Sequence, residues 1–387
     1  MNAAVHGRQA GRKREEATMK LVRSAGILAL LVGLLAPVAS ASAASTVHVR
    51  PGQSIQAAIN RAPDGALISV APGTYAGNLE ITRPVRLVAR GAVIEPAATS
   101  TSNFCSEVTG AGAGICVHGT LRIEATADPN QVTVTVTKWL SSVSIEGFTV
   151  RGFSGIGILA AGVKGFRAVR DVAAHNAAGG IATEFASDVS LLYNSAHDNG
   201  LFGLMVTTSP VAANSVIVGN AVSANTGFGI GFADSLGGRI ALNAVHGNCA
   251  GIVVMATADT NSPGGSGDVS IQLNAVAANN RLCQPAPGGL QAPYGGIGIA
   301  LVGAQNTIVA LNDVRANVSQ AGSIISDGGG IVLLDGKLFG AAAPTGNTIQ
   351  LNRLTGNGPN DLFGDGSGTA NTISGNACTT SNLTGAC

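Results

Sequence analysis

From about residue 143 to residue 358 no apolar run outlasts about six residues, and Gly or Asn interrupts every one. Residues 216–218, 229–232 and 252–254 are typical, and they predict short strands bounded by turns. A helix would need apolar positions three and four apart over ten or more residues, which this region lacks. The polar positions between the runs recur too. One column reads Asp171, Asn194, Asn220, Asn243, Asn274, Asn312 and Asn352; a second follows five residues later at Asn176, Asn199, Asn225, Asn248, Asn279, Asn317 and Asn357. A third holds Gly-Ile or Gly-Leu, at Ile156, Ile181, Leu204, Ile230, Ile252, Ile297 and Ile331, each preceded by its Gly. The first five of these pairs lie 22 to 26 residues apart, and self-similarity at that period predicts a solenoid. Three short strands and three turns per coil use up such a period, with coils stacked about 4.8 Å apart.

In a stack of identical turns each Asn side chain sits one strand spacing from the next, so its amide can donate along the axis. Asn is also expected to supply the left-handed backbone of sharp turns, and Gly to re-aim the chain into the next strand. Fourteen aligned positions, thirteen Asn and one Asp, point to scaffold more than to chemistry.

This repeat line, N-x-[IV]-x-x-N followed by G-I, resembles that of secreted proteins with the right-handed parallel β-helix of the pectin-lyase-like superfamily. The group is similar to periplasmic β-helix proteins associated with nitrous-oxide reductase maturation and to carbohydrate-binding and sugar-hydrolase domains. The resemblance covers about residues 46–387 and implies an all-β, right-handed parallel β-helix. The shared residues are scaffold, so no activity follows from them. Copper delivery would rest on the resemblance alone, because the chain's four Met and the five His beyond residue 43 form no dense cluster of soft ligands.

Residues 1–18 carry Arg8, Arg12, Lys13 and Arg14 without an apolar pattern, so Met19 reads as the true start. Lys20 and Arg23 then precede an uncharged apolar run, residues 25–36, and small residues follow through Ala44. The run is too short to span a bilayer, and the layout predicts a signal peptide over residues 1–43, cleaved after Ala43 or Ala44. The exported chain, secreted or periplasmic, has no second hydrophobic span. Residues 44–142 are expected to form an N-terminal cap and irregular first coils, and residues 143–387 the repeats and the C-terminal end. Ser54 can cap a short helix over residues 55–61, whose Ile55, Ala58 and Ile59 share one face and can plug the open solenoid end. Residues 97–114 read as a loop, and residues 120–123 and 132–137 as strands of less regular coils.

Loss of residues 1–43 removes six of 22 Lys+Arg and two of 21 Asp+Glu, leaving 16 against 19 and a net charge near −3. That argues against nucleic acid, which is bound through basic surface. With aromatics at 4 % of residues, no aromatic-lined glycan groove is expected. The six cysteines of an exported chain imply disulfides. Locality favours Cys105–Cys116, Cys249–Cys283 and Cys378–Cys387, the middle pair lying just after the second Asn column in adjacent coils. The C-x-x-C spacing of a Cys-based metal site is missing.

Alternation in the Gly-Ile strand turns its Ile and Leu inward. The outward positions are then Gly157, Ala182, Met205, Gly231, Val253, Gly298 and Val332, followed two residues on by Leu159, Glu184, Thr207, Ala233, Met255, Ala300 and Leu334. One carboxylate among fourteen positions is not the pair that glycoside hydrolysis needs. The polygalacturonase and pectate-lyase signatures are also missing. The remaining catalytic candidates are Glu184, His175, His197 and Asp198, with His246 in the column of His197; a His beside a carboxylate can act as a general base or metal ligand. The competing reading is a solvated strand edge, and no metal is assigned there.

Insertions at residues 257–268 and 336–346 follow the Gly-Ile strand, and those at 281–294 and 318–328 precede it. Solenoid function resides in such loops, which makes Asp259, Asn261, Asp268, Tyr294, Asp327 and Asp335 the candidate ligand-binding residues. Calcium is the one cofactor these carboxylates could take, although neither EF-hand nor nonapeptide spacing is present. The expectation is a monomeric, non-catalytic secreted β-helix that binds a polysaccharide or another cell-envelope component, or acts structurally. The alternative is a carbohydrate-active enzyme: a polysaccharide lyase, glycoside hydrolase or uronate epimerase.

Overall fold

A computed structural model describes residues 45–98, 102–127, 132–209, 213–285 and 292–387, so the expected signal peptide lies outside the described residues. Ala44–Cys387 forms one compact unit. One coil shows the plan: strands Phe202–Thr207, Ser215–Val218 and Ala221–Ser223, then Phe228–Ala233 opening the next coil. Strands of successive coils pair in parallel. The first strands of the coils stack into a ten-stranded sheet running from Leu79–Ile81 to Asn360–Gly364, and the second and third strands join a twenty-stranded sheet. Each repeat turns three aliphatic side chains inward, for example Leu204, Ile217 and Val222, all fully buried. At about 1.5–3 kcal/mol for each buried side chain, the core grows in proportion to the number of coils.

The register of the inward column differs from the expected one at two coils. Ile158 and Ile299, not Ile156 and Ile297, align with Ile181, Leu204, Ile230, Ile252 and Ile331. The outward positions therefore include Leu159 and Ala300, then Ala161 and Val302, where the sequence pattern put Gly157 and Gly298, then Leu159 and Ala300. The column also extends one coil further, to Leu362 and the outward Phe363.

The Asn columns form continuous ladders. Asn194 donates from N and Nδ2 to Asn220 Oδ1, at 2.8 and 3.1 Å, and the same pair of bonds repeats from Asn220 to Asn243 and on to Asn376. The second ladder runs from Asn176 to Asn357 and ends on Asp361. The left-handed backbone falls one residue earlier than expected. Leu242, Leu273, Leu311 and Leu351 precede the first column with φ between 56 and 59°, while the Asn residues have their side chains committed along the axis. The glycines of the third column serve close packing more than chain reversal: a Cβ on Gly203 would lie 2.4 Å from Val222 Cγ1 and 2.9 Å from Asn225 Nδ2.

Three features precede the regular coils. Helix α1, Ile55–Arg61, has Ser54 accepting from Ala57 N and lays Ile55, Ala58 and Ile59 on the first coil. The segment expected as a loop contains helix α2, Phe104–Thr109, capped by Asn103. Strands Thr120–Ala125 and Val132–Lys138 are not coils. They pair antiparallel, as a hairpin of their own. It leaves the solenoid after Ile115–His118, with Leu121 and Val136 against Gly162, and Asn261 ties its far end through Val132 O and Val134 N at 2.9 and 2.7 Å. Among the described residues no helix is long and apolar enough to cross a membrane.

Candidate functional site

The outward face of the ten-stranded sheet is apolar by sequence, and it is covered in two stretches. Over its early coils α2 lies on the face, fixed by the Cys105–Cys116 disulfide, with Phe104 stacked on His118 at 4.4 Å. Over its last five coils the inserted loops stand up around a groove of about 610 Å³. Phe228, Val253, Ala300, Leu334 and Phe363 are contributed by successive coils to its floor and sides, so the groove runs along the axis for about 19 Å at one strand spacing per coil.

Each wall has a local cause. Cys283 is bonded to Cys249 beside the second Asn ladder, and it exchanges backbone bonds with Tyr294 at 2.9 and 3.1 Å, which lays Tyr294 beside Phe228 with ring centroids 5.6 Å apart. The opposite wall is the 3-10 turn Gly336–Phe339, started by Asp335, whose carboxylate accepts from Lys337 N. Ile324, Ile325 and Asp327 come from the loop before strand Gly329–Leu334. All three disulfides are those the spacing favoured, Cys378–Cys387 closing the C-terminal end. Replacing Cys249 and Cys283 together by Ala is expected to lower stability by about 3–4 kcal/mol, the loop-closure effect for a separation of 34 residues. A drop in thermal midpoint of less than about 2 °C in the double variant would refute this.

Tyr294, Asp327 and Asp335 line the groove, and Asp365 joins them at its rim. Burial raises the Tyr294 phenol well above its ordinary value, so it is a neutral donor and no base. Partial burial tends to raise the Asp365 carboxyl as well. Bonds from the Ser367 hydroxyl and from the backbone N–H groups of Asp335 and Ser367 outweigh that and hold it below the usual carboxylate range. Asp259, Asn261 and Asp268 are elsewhere. Asp259 accepts from the Thr208 hydroxyl at 3.1 Å and from Asn261, while Asn261 anchors the hairpin. Asp268 lies exposed at a corner of the twenty-stranded sheet.

The catalytic candidates divide between two places. Glu184 ends its strand in the ten-stranded sheet, on the stretch between the hairpin's two anchor points. Burial raises its carboxyl, and the nearby Asp259 adds to this; Asp234 is raised for the same reasons against two bonds from Thr257. His175, His197 and Asp198 belong to the twenty-stranded sheet and its turns, so they do not join Glu184.

Sequence reasoning missed Phe228, Phe339, Phe363, Lys337 and Asp365. With Tyr294, the three Phe side chains make an aromatic-lined groove, contrary to the expectation from the 4 % aromatic content. A signal existed for Phe363, which follows Asp361-Leu362 at the next step of the inward column.

The profile of a family described as right handed beta helix region matches residues 106–266. No curated protein sequence matches the chain. Among solved structures, the A-module of the Azotobacter vinelandii mannuronan C-5 epimerase AlgE4 superposes with a TM-score of 0.55 at 17 % identity, over 86 % of this chain and 93 % of that one. The Dettilon tailspike protein gives 0.51 at 16 % identity, over 87 % of this chain and 60 % of its own. ORF18 of Geobacillus virus E2 gives 0.50 at 14 %, over 85 % of this chain and 60 % of its own. Identities this low speak for the fold alone. With the parallel coils, the ladders and the matched repeat region, they make the chain a right-handed parallel β-helix of the pectin-lyase-like fold.

Proposed function

We propose that this protein is a secreted, monomeric, non-catalytic β-helix that holds a neutral glycan or a similar cell-envelope component in the groove over its last five coils. The groove itself supports the reading most. It is elongated along the solenoid, as a polymer requires, and its floor and walls carry four aromatic rings suited to the apolar faces of sugar rings. Asp327, Asp335 and Asp365 are among its lining residues and can accept from hydroxyls. Three aspartates against one Lys337 oppose a polyuronate. Acid–base work needs a carboxyl or imidazole tuned toward neutrality, whereas the rim offers the tightly bonded, ionised Asp365.

The test is a glycan-array screen of the chain followed by calorimetry on the best ligand. Phe363→Ala and Phe339→Ala should each weaken binding about tenfold, and Asp335→Ala should weaken it less. His197→Ala should leave it unchanged. No unsaturated uronide and no new reducing end should be released from pectate, alginate or neutral glycans, with or without calcium. The raised carboxyls of Glu184 and Asp234 are what favours the enzyme reading. Turnover that disappears in Glu184→Ala would replace the binding function with catalysis beside the hairpin.

A further inference from the structure

The turn position just before the second Asn column is Ala224, Gly247, Ala278, Ala316 or Gly356 in five coils, and His175 and Asp198 in the two neighbouring coils that remain. The strand end beside them carries His197, paired with Ala174 in one coil and Ser223 in the other. These three side chains meet. The rings of His175 and His197 approach edge-on with centroids 5.8 Å apart, and His197 Nδ1 lies 2.8 Å from Asp198 Oδ2. One ligand atom from each of the three residues lies within 4.8 Å of the others. The backbone beneath is fixed: His175 and Asp198 hold φ of 54 and 55°, and His175 N donates to His197 O at 3.3 Å. Asp and His are among the residues that most often hold this left-handed backbone, so both side chains are presented without unusual strain.

We propose that His175, His197 and Asp198 bind one divalent late transition-metal ion, a site separate from the groove. Two imidazoles and a carboxylate are the donor set that suits Zn²⁺ and its neighbours, whereas Ca²⁺ and Mg²⁺ seek oxygen alone. Bond lengths of about 2.0–2.2 Å put tetrahedral ligand atoms about 3.3 Å apart, so these partly exposed side chains need only small torsional changes to close on the ion. Asp198 completes the shell or orients the His197 ring through Nδ1; its loss weakens binding in either role. Three protein ligands leave room for water or an exogenous donor from the adjoining concavity of about 340 Å³. Arg281 borders the same concavity, and its charge opposes the bound cation. His246 lies two coils along the His197 column, about 9.6 Å away, and cannot share the ion. A second cluster, Glu80, Cys116 and His118, has its sulfur committed to Cys105.

Titration of Zn²⁺ into the untagged, disulfide-intact chain, followed by calorimetry, tests the site. One ion per chain is expected. His175→Ala and His197→Ala should each weaken binding at least about tenfold, and Asp198→Asn by about tenfold. His246→Ala should keep the parent Kd, and millimolar Ca²⁺ should not compete. Other coils already carry Ala224 at the His175 turn and Ala174 in the His197 column, so the variants should unfold at the parent temperature, and a lost ion then reports lost ligands. Absence of a stoichiometric heat, or an unchanged Kd in His197→Ala, would overturn the proposal.

Discussion

Asn243→Leu is expected to lower the unfolding free energy by about 4 kcal/mol, against less than about 0.5 kcal/mol for Asn60→Leu on the exposed side of α1. Asn243 is buried, and its Oδ1 accepts from both N and Nδ2 of Asn220 at 2.9 Å. Its own Nδ2 donates to Ile217 O and Asn274 Oδ1, also at 2.9 Å. Leucine fills a similar volume but removes every one of these bonds, and it strands two donors of Asn220 where no water reaches. Each stranded donor costs about 1–3 kcal/mol, partly offset by the apolar surface that leucine buries. The Asn60 side chain accepts one bond, from Gln56 Nε2, at an exposed position. Asn261 is a poor silent control despite its place in an inserted loop, because it pins the hairpin through Val132 and Val134. Urea midpoints measured side by side decide the matter: coincident curves for Asn243→Leu and Asn60→Leu would mean that the ladder does not stabilise the solenoid.

The ladders were legible because stacking gives each column one environment, and one environment selects one residue at a fixed period. The register error has the same origin. Gly155-Ile156-Gly157-Ile158 and Gly296-Ile297-Gly298-Ile299 each offer the Gly-Ile pair twice, two residues apart. A shift of two keeps every side chain on its own face, so hydrophobic alternation cannot separate the two phases. Only pairing with the next coil does so. The hairpin was misread because Val132–Lys138 alternates like any coil strand, and its antiparallel partner is a matter of topology.

The loops were found as breaks in the period, and three of their six nominated residues line the groove. Its aromatic character was not found, because Phe228 and Phe363 are far apart in sequence and composition averages them away. The His column was readable from spacing. That Glu184 belongs elsewhere depends on which sheet each strand joins, and that is set by the bend at the Asn ladder.

Asp171→Asn is expected to stabilise the protein, and by more as pH rises from about 4 to about 8. Asp171 heads the first ladder in the position that every later coil gives to Asn, and it is fully buried. It accepts from Phe148 N at 2.9 Å and Val169 N at 3.1 Å, bonds that favour its ionised form. Burial outweighs them and, with Glu146 nearby, pushes its carboxyl up to about 8. A protonated carboxyl also suits the ladder, because the next member, Asn194, accepts through Oδ1 from the Asp171 backbone, and every later coil adds a side-chain donor to that bond. The sign follows from proton uptake. In the unfolded chain Asp171 ionises near 4, so between about 4 and 8 the native state holds a proton that the unfolded state has released. Stability is therefore full below the lower value and declines by up to about 1.4 kcal/mol per pH unit until the native carboxyl ionises as well. Asparagine supplies the amide donor at every pH and removes that slope. Thermal midpoints at pH 5, 7 and 9 should converge on a pH-independent gain above pH 8, with the parent falling away from the variant in between. Parallel pH profiles for parent and Asp171→Asn would show that Asp171 is ionised in the native protein at neutral pH, held by its backbone donors against the burial.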